Sequence, residues 1–109
     1  MERPISLTSR GVDLSEQLRT MIEERAQRLE RFYPRLIGCS VVIEGPGHRH
    51  RNGGPYAVAL DLRVPGADPL LVTRKKETRI ETAVDAAFDA ARRQLEEFAS
   101  AQRRESERR

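Results

Sequence analysis

The stretch from Thr78 to Arg104 constrains the fold more than any other part of this sequence. Apolar residues recur in it every three or four positions, and at about 100° per residue this spacing places them on one face of an α-helix. Thr78-Arg79-Ile80-Glu81 has the pattern of a capping box, so we expect the helix to begin there. Because an amphipathic helix is marginally stable alone, the rest of the chain should cover its apolar face. The apolar positions are Ile80, Ala83, Val84, Ala87, Phe88, Ala91, Leu95 and Phe98.

Length and composition indicate one small domain of a cytoplasmic protein. The chain has 109 residues and a single cysteine, Cys39, so an internal disulfide framework is excluded. Its first residues lack the apolar core of a signal peptide, and no apolar run approaches membrane-spanning length. Twenty Lys and Arg residues against seventeen Asp and Glu give a net charge of +3. Net charge alone is therefore a weak argument for nucleic acid, and the distribution of the arginines matters more.

The first third of the chain predicts a strand followed by a helix. Ile5 to Thr8 alternates in polarity and reads as a short strand. Asp13-Leu14-Ser15-Glu16 is a second capping-box pattern. The helix should end near Phe32 or Tyr33, because Pro34 disfavours helical geometry in the residue before it. Apolar positions with helical spacing are Leu14, Leu18, Ile22, Leu29 and Phe32.

The middle of the chain predicts three further strands. Ser40 to Glu44 is rich in β-branched residues, and Tyr56 to Val64 alternates between apolar and polar or small side chains. Leu70 to Arg74 follows the turn at Pro65-Gly66-Ala67-Asp68, which predicts a hairpin. The glycines and prolines between Gly45 and Pro55 exclude regular structure there.

These elements predict an α+β fold of the order β-α-β-β-β-α. A half-polar sheet and two amphipathic helices fit a two-layer sandwich, with a four-stranded sheet and both helices on one face. We expect this domain to span residues 1–104. The charged tail should fray from Gln102, leaving 105–109 disordered.

With these elements in place, the chain resembles the short form of the ribosome hibernation-promoting factor family. This family of ribosome-associated translation inhibitors is also known as the sigma-54 modulation protein family. The resemblance rests on the order and spacing of three stretches across nearly the whole chain. They are ISLTSRGVDLSEQL from Ile5 to Leu18, RAQRLERF from Arg25 to Phe32, and Glu81 to Leu95 ending in RQL.

The resemblance implies a fold similar to double-stranded-RNA-binding domains and a protein without enzymatic activity. Such a protein would bind the small ribosomal subunit in the channel for mRNA and tRNA and would inhibit translation. It would need no cofactor and would be a monomer when free. Family basic positions are matched by Arg25, Arg28, Arg31, Lys76 and Arg93, whereas the sequence departs from the family pattern at Glu81, Ala90 and Glu96-Glu97.

Two arginine stripes are visible without the family. Arg28 and Arg31 lie within about 60° of each other on the first helix, and Arg79, Arg93 and Arg104 lie within about 40° on the second. If the helices pack side by side, one stripe from each could border a groove for phosphates. Arg92 is expected on the opposite flank of the second helix. Alternatively, these are solubilising charges paired as Glu24–Arg28, Asp89–Arg93 and Arg93–Glu97.

The loop His48-Arg49-His50-Arg51 invites two interpretations besides a solvated hairpin loop. Zinc would require three or four ligands, and the sequence has only these two histidines, so we expect no metal site. Arg49 and Arg51 are instead candidates for phosphate contacts. Lys75 and Lys76, just before the second helix, are further candidates, or else only a charged strand end.

Two aromatic residues and the cysteine remain. Phe32 and Tyr33 could stack on a base. We expect Phe32 to belong to the core, whereas the role of Tyr33 stays open. Cys39 is expected to be a small, buried or half-buried residue.

Other function hypotheses remain beside the hibernation factor. A free-standing module for structured RNA and a protein–protein adaptor are both compatible with the same fold. An enzyme with a small-molecule substrate is disfavoured, because no nucleophile, base and orienting residue form a set.

Overall fold

A computed structural model describes residues 1, 3–46, 55–65 and 71–108 of the chain. The elements follow the predicted order β-α-β-β-β-α. They are β1 (Ser6–Arg10), α1 (Glu16–Phe32), β2 (Gly38–Glu44), β3 (Tyr56–Arg63), β4 (Leu71–Glu77) and α2 (Ile80–Glu107). Across these ranges, neither helix is both long and apolar enough to cross a membrane. The predicted turn between β3 and β4 lies outside the described residues, apart from Pro65.

The four strands form one mixed sheet in the order β1-β2-β3-β4. The pair β1–β2 is parallel, whereas β2–β3 and β3–β4 are antiparallel. The α1 helix therefore connects two parallel neighbours, as such a connection requires. The antiparallel pairing of β3 with β4 confirms the predicted hairpin partners.

The core lies between one face of the sheet and the two helices. Alternation in β3 directs Val58, Leu60 and Leu62 to this face, where each is at most 1% exposed. The same core cluster contains Ile22 of α1 and Leu95 of α2, both fully buried. Each such aliphatic side chain stabilises the fold by about 1.5–3 kcal/mol relative to an exposed position. This arrangement confirms the predicted two-layer sandwich with both helices on one face.

The N-terminus of α1 is capped two residues later than the sequence indicated. Ser15, rather than Asp13, is the N-cap, and its side-chain oxygen accepts a hydrogen bond from the backbone N–H of Leu18 at 3.1 Å. Such a cap typically contributes about 1 kcal/mol. The C-terminus agrees with the prediction, because α1 ends at Phe32 with Tyr33 as the C-cap, next to Pro34.

The start of α2 corrects the second capping prediction. Arg79 is the N-cap and makes no side-chain capping hydrogen bond, so Thr78 does not cap this helix. The extended Arg79 is separated from the end of β4 at Glu77 only by Thr78. This short connection sets the first helical residue at Ile80.

The end of α2 also differs from the expectation, since the helix continues to Glu107 instead of fraying from Gln102. The hydroxyl of Tyr33 donates a hydrogen bond to the Gln102 side-chain oxygen at 3.2 Å. The Tyr33 ring also meets Phe98 edge-on, with 6.2 Å between the centroids. These contacts attach the last turns of α2 to the end of α1. The assignment of 1–104 as a ribosome-binding domain stays a prediction.

Cys39 is buried in β2 and is 3% exposed, which confirms the structural interpretation of this residue. Burial, together with the nearby Asp61 carboxylate, raises the pKa of its thiol to about 12. The thiol is therefore protonated at neutral pH and is a poor nucleophile.

A close backbone approach fixes the end of β2. The N–H of Gly45 donates to the carbonyl oxygen of Arg10 at 2.7 Å. A Cβ atom on Gly45 would lie 2.5 Å from the Gly11 carbonyl oxygen and 2.7 Å from the Cβ of Val12. Only glycine fits here, because the first of these neighbours is backbone and cannot rotate away. By contrast, a Cβ on Gly38 would meet its nearest neighbour at 3.7 Å, an ordinary contact.

We therefore expect Gly45→Ala to lower the free energy of unfolding by about 1–3 kcal/mol, the usual cost of overpacking. Gly38→Ala should change it by less than about 1 kcal/mol, because its added methyl group meets no clash. Urea unfolding of both variants measures the difference. Equal stabilities would contradict the close approach at Gly45.

Candidate nucleic-acid interface

A cleft of about 330 Å³ lies between α1 and α2 on the side away from the sheet, and we call it the helix cleft. Arg25 of α1 spans it to Asp85 of α2. The Arg25 Nε and Nη2 atoms lie 3.0 and 2.9 Å from the same carboxylate oxygen, Oδ1 of Asp85. This partly buried pair joins the two helices and neutralises Arg25. The helix cleft is lined by Arg25, Arg28, Leu29, Phe32, Asp85, Phe88, Asp89 and Arg92.

Phe32 lies in the helix cleft and not in the core, which corrects the sequence prediction. Its side chain is 39% exposed, whereas Tyr33 is 7% exposed and joins the core cluster. Helical geometry explains why Tyr33, and not Phe32, is buried. Tyr33 lies eleven positions after the buried Ile22 and about 20° from it in projection, while Phe32 lies about 80° away.

Arg92 covers the exposed ring of Phe32. The central carbon of its guanidinium group lies 4.8 Å from the ring centroid, within cation–π distance. The Nε atom of Arg92 also lies 3.6 Å from a carboxylate oxygen of Glu96, in an exposed pair. Arg92 thus places its guanidinium group over an aromatic ring in the helix cleft.

The positions of Arg92 and Arg93 correct the predicted groove. The flank of α2 that faces α1 carries Asp85, Asp89 and Arg92. Arg93 is exposed and does not line the helix cleft. It lies nine positions after the fully buried Val84, and therefore about 180° from the core-facing side of the helix. Arg93 and the two arginines predicted to share its flank, Arg79 and Arg104, form a row on the solvent-facing side of α2 that we call the outer ridge.

Of the candidate arginines of α1, Arg25 and Arg28 line the helix cleft and Arg31 does not. Arg31 is exposed in the last turn. Within the described residues, Arg28 makes no hydrogen bond or ion pair. The three pairs that would have made these arginines ordinary solubilising charges do not form there as ion pairs. They are Glu24–Arg28, Asp89–Arg93 and Arg93–Glu97.

The other predicted basic residues are distributed over the molecule. Arg79 and Arg104 are exposed near opposite ends of α2. Lys75 and Lys76 point to opposite faces of the sheet, because adjacent strand residues alternate. Lys75 pairs in register with the core residue Val58 and shares the helix-covered face. Lys76 lies on the open face.

The predicted phosphate contacts of Arg49 and Arg51 stay a prediction, since both arginines and both histidines lie outside the described residues. In the described ranges, no three His, Cys, Asp or Glu side chains are grouped as metal ligands.

Sequence reasoning missed the part that Arg92 plays in the helix cleft, and it missed a second group of arginines. Arg10, Arg63 and Arg74 are exposed on strands, and their alternation places them on the open face of the sheet. Arg74 lies 3.9 Å from Glu44 on that face, and Asp61 adds a second acid. The alternation of apolar and polar residues in β3 could have predicted the position of Arg63 on the face opposite the core. The signal for Arg92 was its helical alignment with Asp85, seven positions earlier.

Two solved structures share this fold. A ribosomal subunit interface protein from Coxiella burnetii superposes with a TM-score of 0.74 at 18% identity, over 88% of this chain and 97% of that one. The N-terminal domain of Protein Y from Thermus thermophilus gives 0.70 at 21% identity, over 85% and 94%. The fold is therefore that of a known class of small α+β domains.

Residues 5–103 match the model of the family described as Sigma 54 modulation protein / S30EA ribosomal protein, and the chain belongs to that family. It is 28% identical over 92 residues to a ribosome hibernation promotion factor from Deinococcus radiodurans. That alignment covers 84% of this chain and 47% of the relative, so the chain spans about half of the relative's length.

The Arg25–Asp85 pair should couple the two helices energetically. In a double-mutant cycle with Arg25→Ala and Asp85→Ala, we expect a coupling energy of about 0.5–1 kcal/mol that decreases in high salt. The exposed Arg92–Glu96 pair is the matched control and should give about 0.3 kcal/mol. Urea unfolding measures both cycles. No coupling between Arg25 and Asp85 would contradict the arrangement of the helix cleft.

Proposed function

We propose that this chain is a ribosome hibernation factor of the cytoplasm. It binds the small ribosomal subunit through ribosomal RNA, in the channel that mRNA and tRNA occupy, and it inhibits translation by occupying that channel. Family membership and the relative from Deinococcus radiodurans support the proposal. The protein would act stoichiometrically and without turnover, and it would need no cofactor.

The observation that carries the proposal is the convergence of arginines from both helices on one exposed cleft. Arg28 comes from α1 and Arg92 from α2, and the ring of Phe32 lies between the helices. Guanidinium groups bind phosphate oxygens with two hydrogen bonds, and exposed aromatic rings stack on unpaired bases. A surface with both features suits RNA that combines backbone with accessible bases.

Phosphate contacts would extend beyond the helix cleft onto the exposed side of the helices. Arg31 lies at the C-terminal end of α1, and Arg93 lies on the outer ridge of α2 with Arg79 and Arg104. Such contacts position a protein on RNA without reading its sequence. Arg25 would contribute less, because Asp85 already neutralises it.

The protein's own chemistry supports binding rather than catalysis. The only thiol, Cys39, is buried, and its pKa is raised to about 12, so it offers no reactive thiolate. The proposed inhibition is a competition for space, in which the bound domain and the normal ligands of the channel exclude each other. The ribosome would then become available again when the protein dissociates, without any chemical step.

The open face of the sheet favours the adaptor as a second candidate. Thr8, Val42 and Ala59 lie across three neighbouring strands of that face, and neither helix of the described residues covers it. An adaptor that pairs through this face would form a concentration-dependent complex without RNA. Sedimentation equilibrium of the free protein tests this candidate, because the hibernation factor is expected to be a monomer.

Ribosome binding should weaken steeply with salt. About four to seven phosphate contacts would give a slope of about −3 to −6 in log K against log salt concentration, since each contact releases counterions. Co-sedimentation with ribosomes between about 50 and 300 mM KCl measures this slope. Binding that does not change over this range would contradict the electrostatic mechanism.

Matched variants assign the slope to particular residues. Arg28→Gln and Arg31→Gln should each make the salt dependence shallower, lowering the magnitude of the slope by about 0.7–0.9. The exposed Arg19→Gln on α1 should leave the slope unchanged. Binding to an arbitrary RNA duplex with the same affinity as to ribosomes would instead identify a general module for structured RNA.

A further inference from the structure

The helix cleft mixes charges in a way that a pure phosphate site would not. Asp85 is neutralised by Arg25, but Asp89 is exposed in the cleft and has no hydrogen bond or ion pair with the described residues. A free carboxylate repels phosphate oxygens, yet it is a strong acceptor for two neighbouring N–H donors. The cleft is therefore suited to a ligand with a donor edge as well as a phosphate.

The same cleft provides a stacking surface. Among the described residues, Phe32 is the exposed large hydrophobic side chain. The central guanidinium carbon of Arg92 lies 4.8 Å from its ring centroid. Nucleobases stack on both aromatic rings and guanidinium planes. The cleft volume of about 330 Å³ lies at the lower end of the ~300–1,000 Å³ typical of small-ligand sites.

Among the four RNA bases, guanine matches this combination best. Its Watson–Crick edge presents two adjacent donors, N1–H and the N2 amino group, which fit the two oxygens of one carboxylate. Adenine presents an unprotonated ring nitrogen at the first of these positions, and that nitrogen would face the carboxylate as a second acceptor. A phosphate attached to the same nucleotide would find Arg28, which is unpaired within the described residues.

We propose that the helix cleft binds one unpaired guanine nucleotide of RNA. The base stacks against the Phe32–Arg92 pair, its N1–H and N2 amino groups donate to Asp89, and Arg28 binds its phosphate. The proposal rests on the proposed RNA-binding function and adds a base preference to it. Contacts on the outer ridge of α2 would then supply affinity without sequence preference.

The test uses the full chain and five-nucleotide single-stranded RNAs that differ in the central base. We expect the oligonucleotide AAGAA to bind about tenfold more tightly than AAAAA, with central inosine in between because inosine lacks the N2 amino group. Fluorescence anisotropy at low salt measures the affinities. Equal affinity for guanine and adenine would overturn the proposal.

Variants separate the base contact from general charge effects. Asp89→Asn should reduce the guanine preference to less than about threefold, and Phe32→Leu and Arg92→Gln should weaken guanine binding by about tenfold. Arg103→Gln, an exposed arginine of α2 outside the cleft, is the matched control for Arg92→Gln and should leave the preference intact. Thermal melts establish that each variant is folded. A guanine preference that survives Asp89→Asn would overturn the role of the carboxylate.

Co-sedimentation of the same protein preparations with ribosomes distinguishes failure of the guanine site from failure of the hibernation function. Normal ribosome binding without a guanine preference overturns the guanine site and leaves the hibernation function in place. A guanine preference without ribosome binding supports the site and overturns the hibernation function.

Discussion

Two helices share one face of a single four-stranded sheet, and the candidate RNA-binding surface follows from that constraint. Each helix must direct its apolar stripe to the same core, so the helices lie side by side. Their facing flanks then meet above the sheet, where Arg25 and Asp85 join them at 2.9 Å. The helix cleft is thus a consequence of how the core is covered. Residues on these flanks are brought together although they are about sixty positions apart in the sequence.

Sequence periodicity identified most of the buried side of the helices and of β3. Period-two alternation identified Val58, Leu60 and Leu62, and helical spacing identified Ile22 and Leu95, all of which are core residues. These patterns are dominated by the burial of apolar side chains, which has the same sign wherever the element packs. The order of elements and the two-layer fold followed from them.

What the sequence could not predict depends on neighbours and on the local backbone path. A helical wheel shows that Arg92 and Arg93 diverge by about 100°, but it does not show which flank faces α1. That choice depends on the positions of both helices over the sheet. The cap at Ser15 was displaced from Asp13 because the path of the chain after β1 decides which side chain reaches the free N–H groups. Phe32 was misplaced because Tyr33 continues the buried stripe of α1.

The structure divides the basic residues among three surfaces with different chemical composition. The helix cleft combines arginine, carboxylate and aromatic groups, so it is suited to a nucleotide with base and phosphate. The ridge of Arg79, Arg93 and Arg104 offers cations without an aromatic partner and is suited to backbone phosphates. The open sheet face carries Arg74 and Lys76 together with Glu44, and its charges are partly balanced. Only the first of these surfaces draws on both helices.

We propose that the helix face, and not the open sheet face, meets ribosomal RNA. Photo-cross-linking tests it most directly, with benzoylphenylalanine placed either at Phe32 in the helix cleft or at Thr8 on the open face. Because Phe32 and Thr8 are both exposed, the bulky probe should be tolerated at either position. On ribosomes, we expect a cross-link to small-subunit RNA from position 32 and little or none from position 8. A strong cross-link from position 8 with none from position 32 would contradict it.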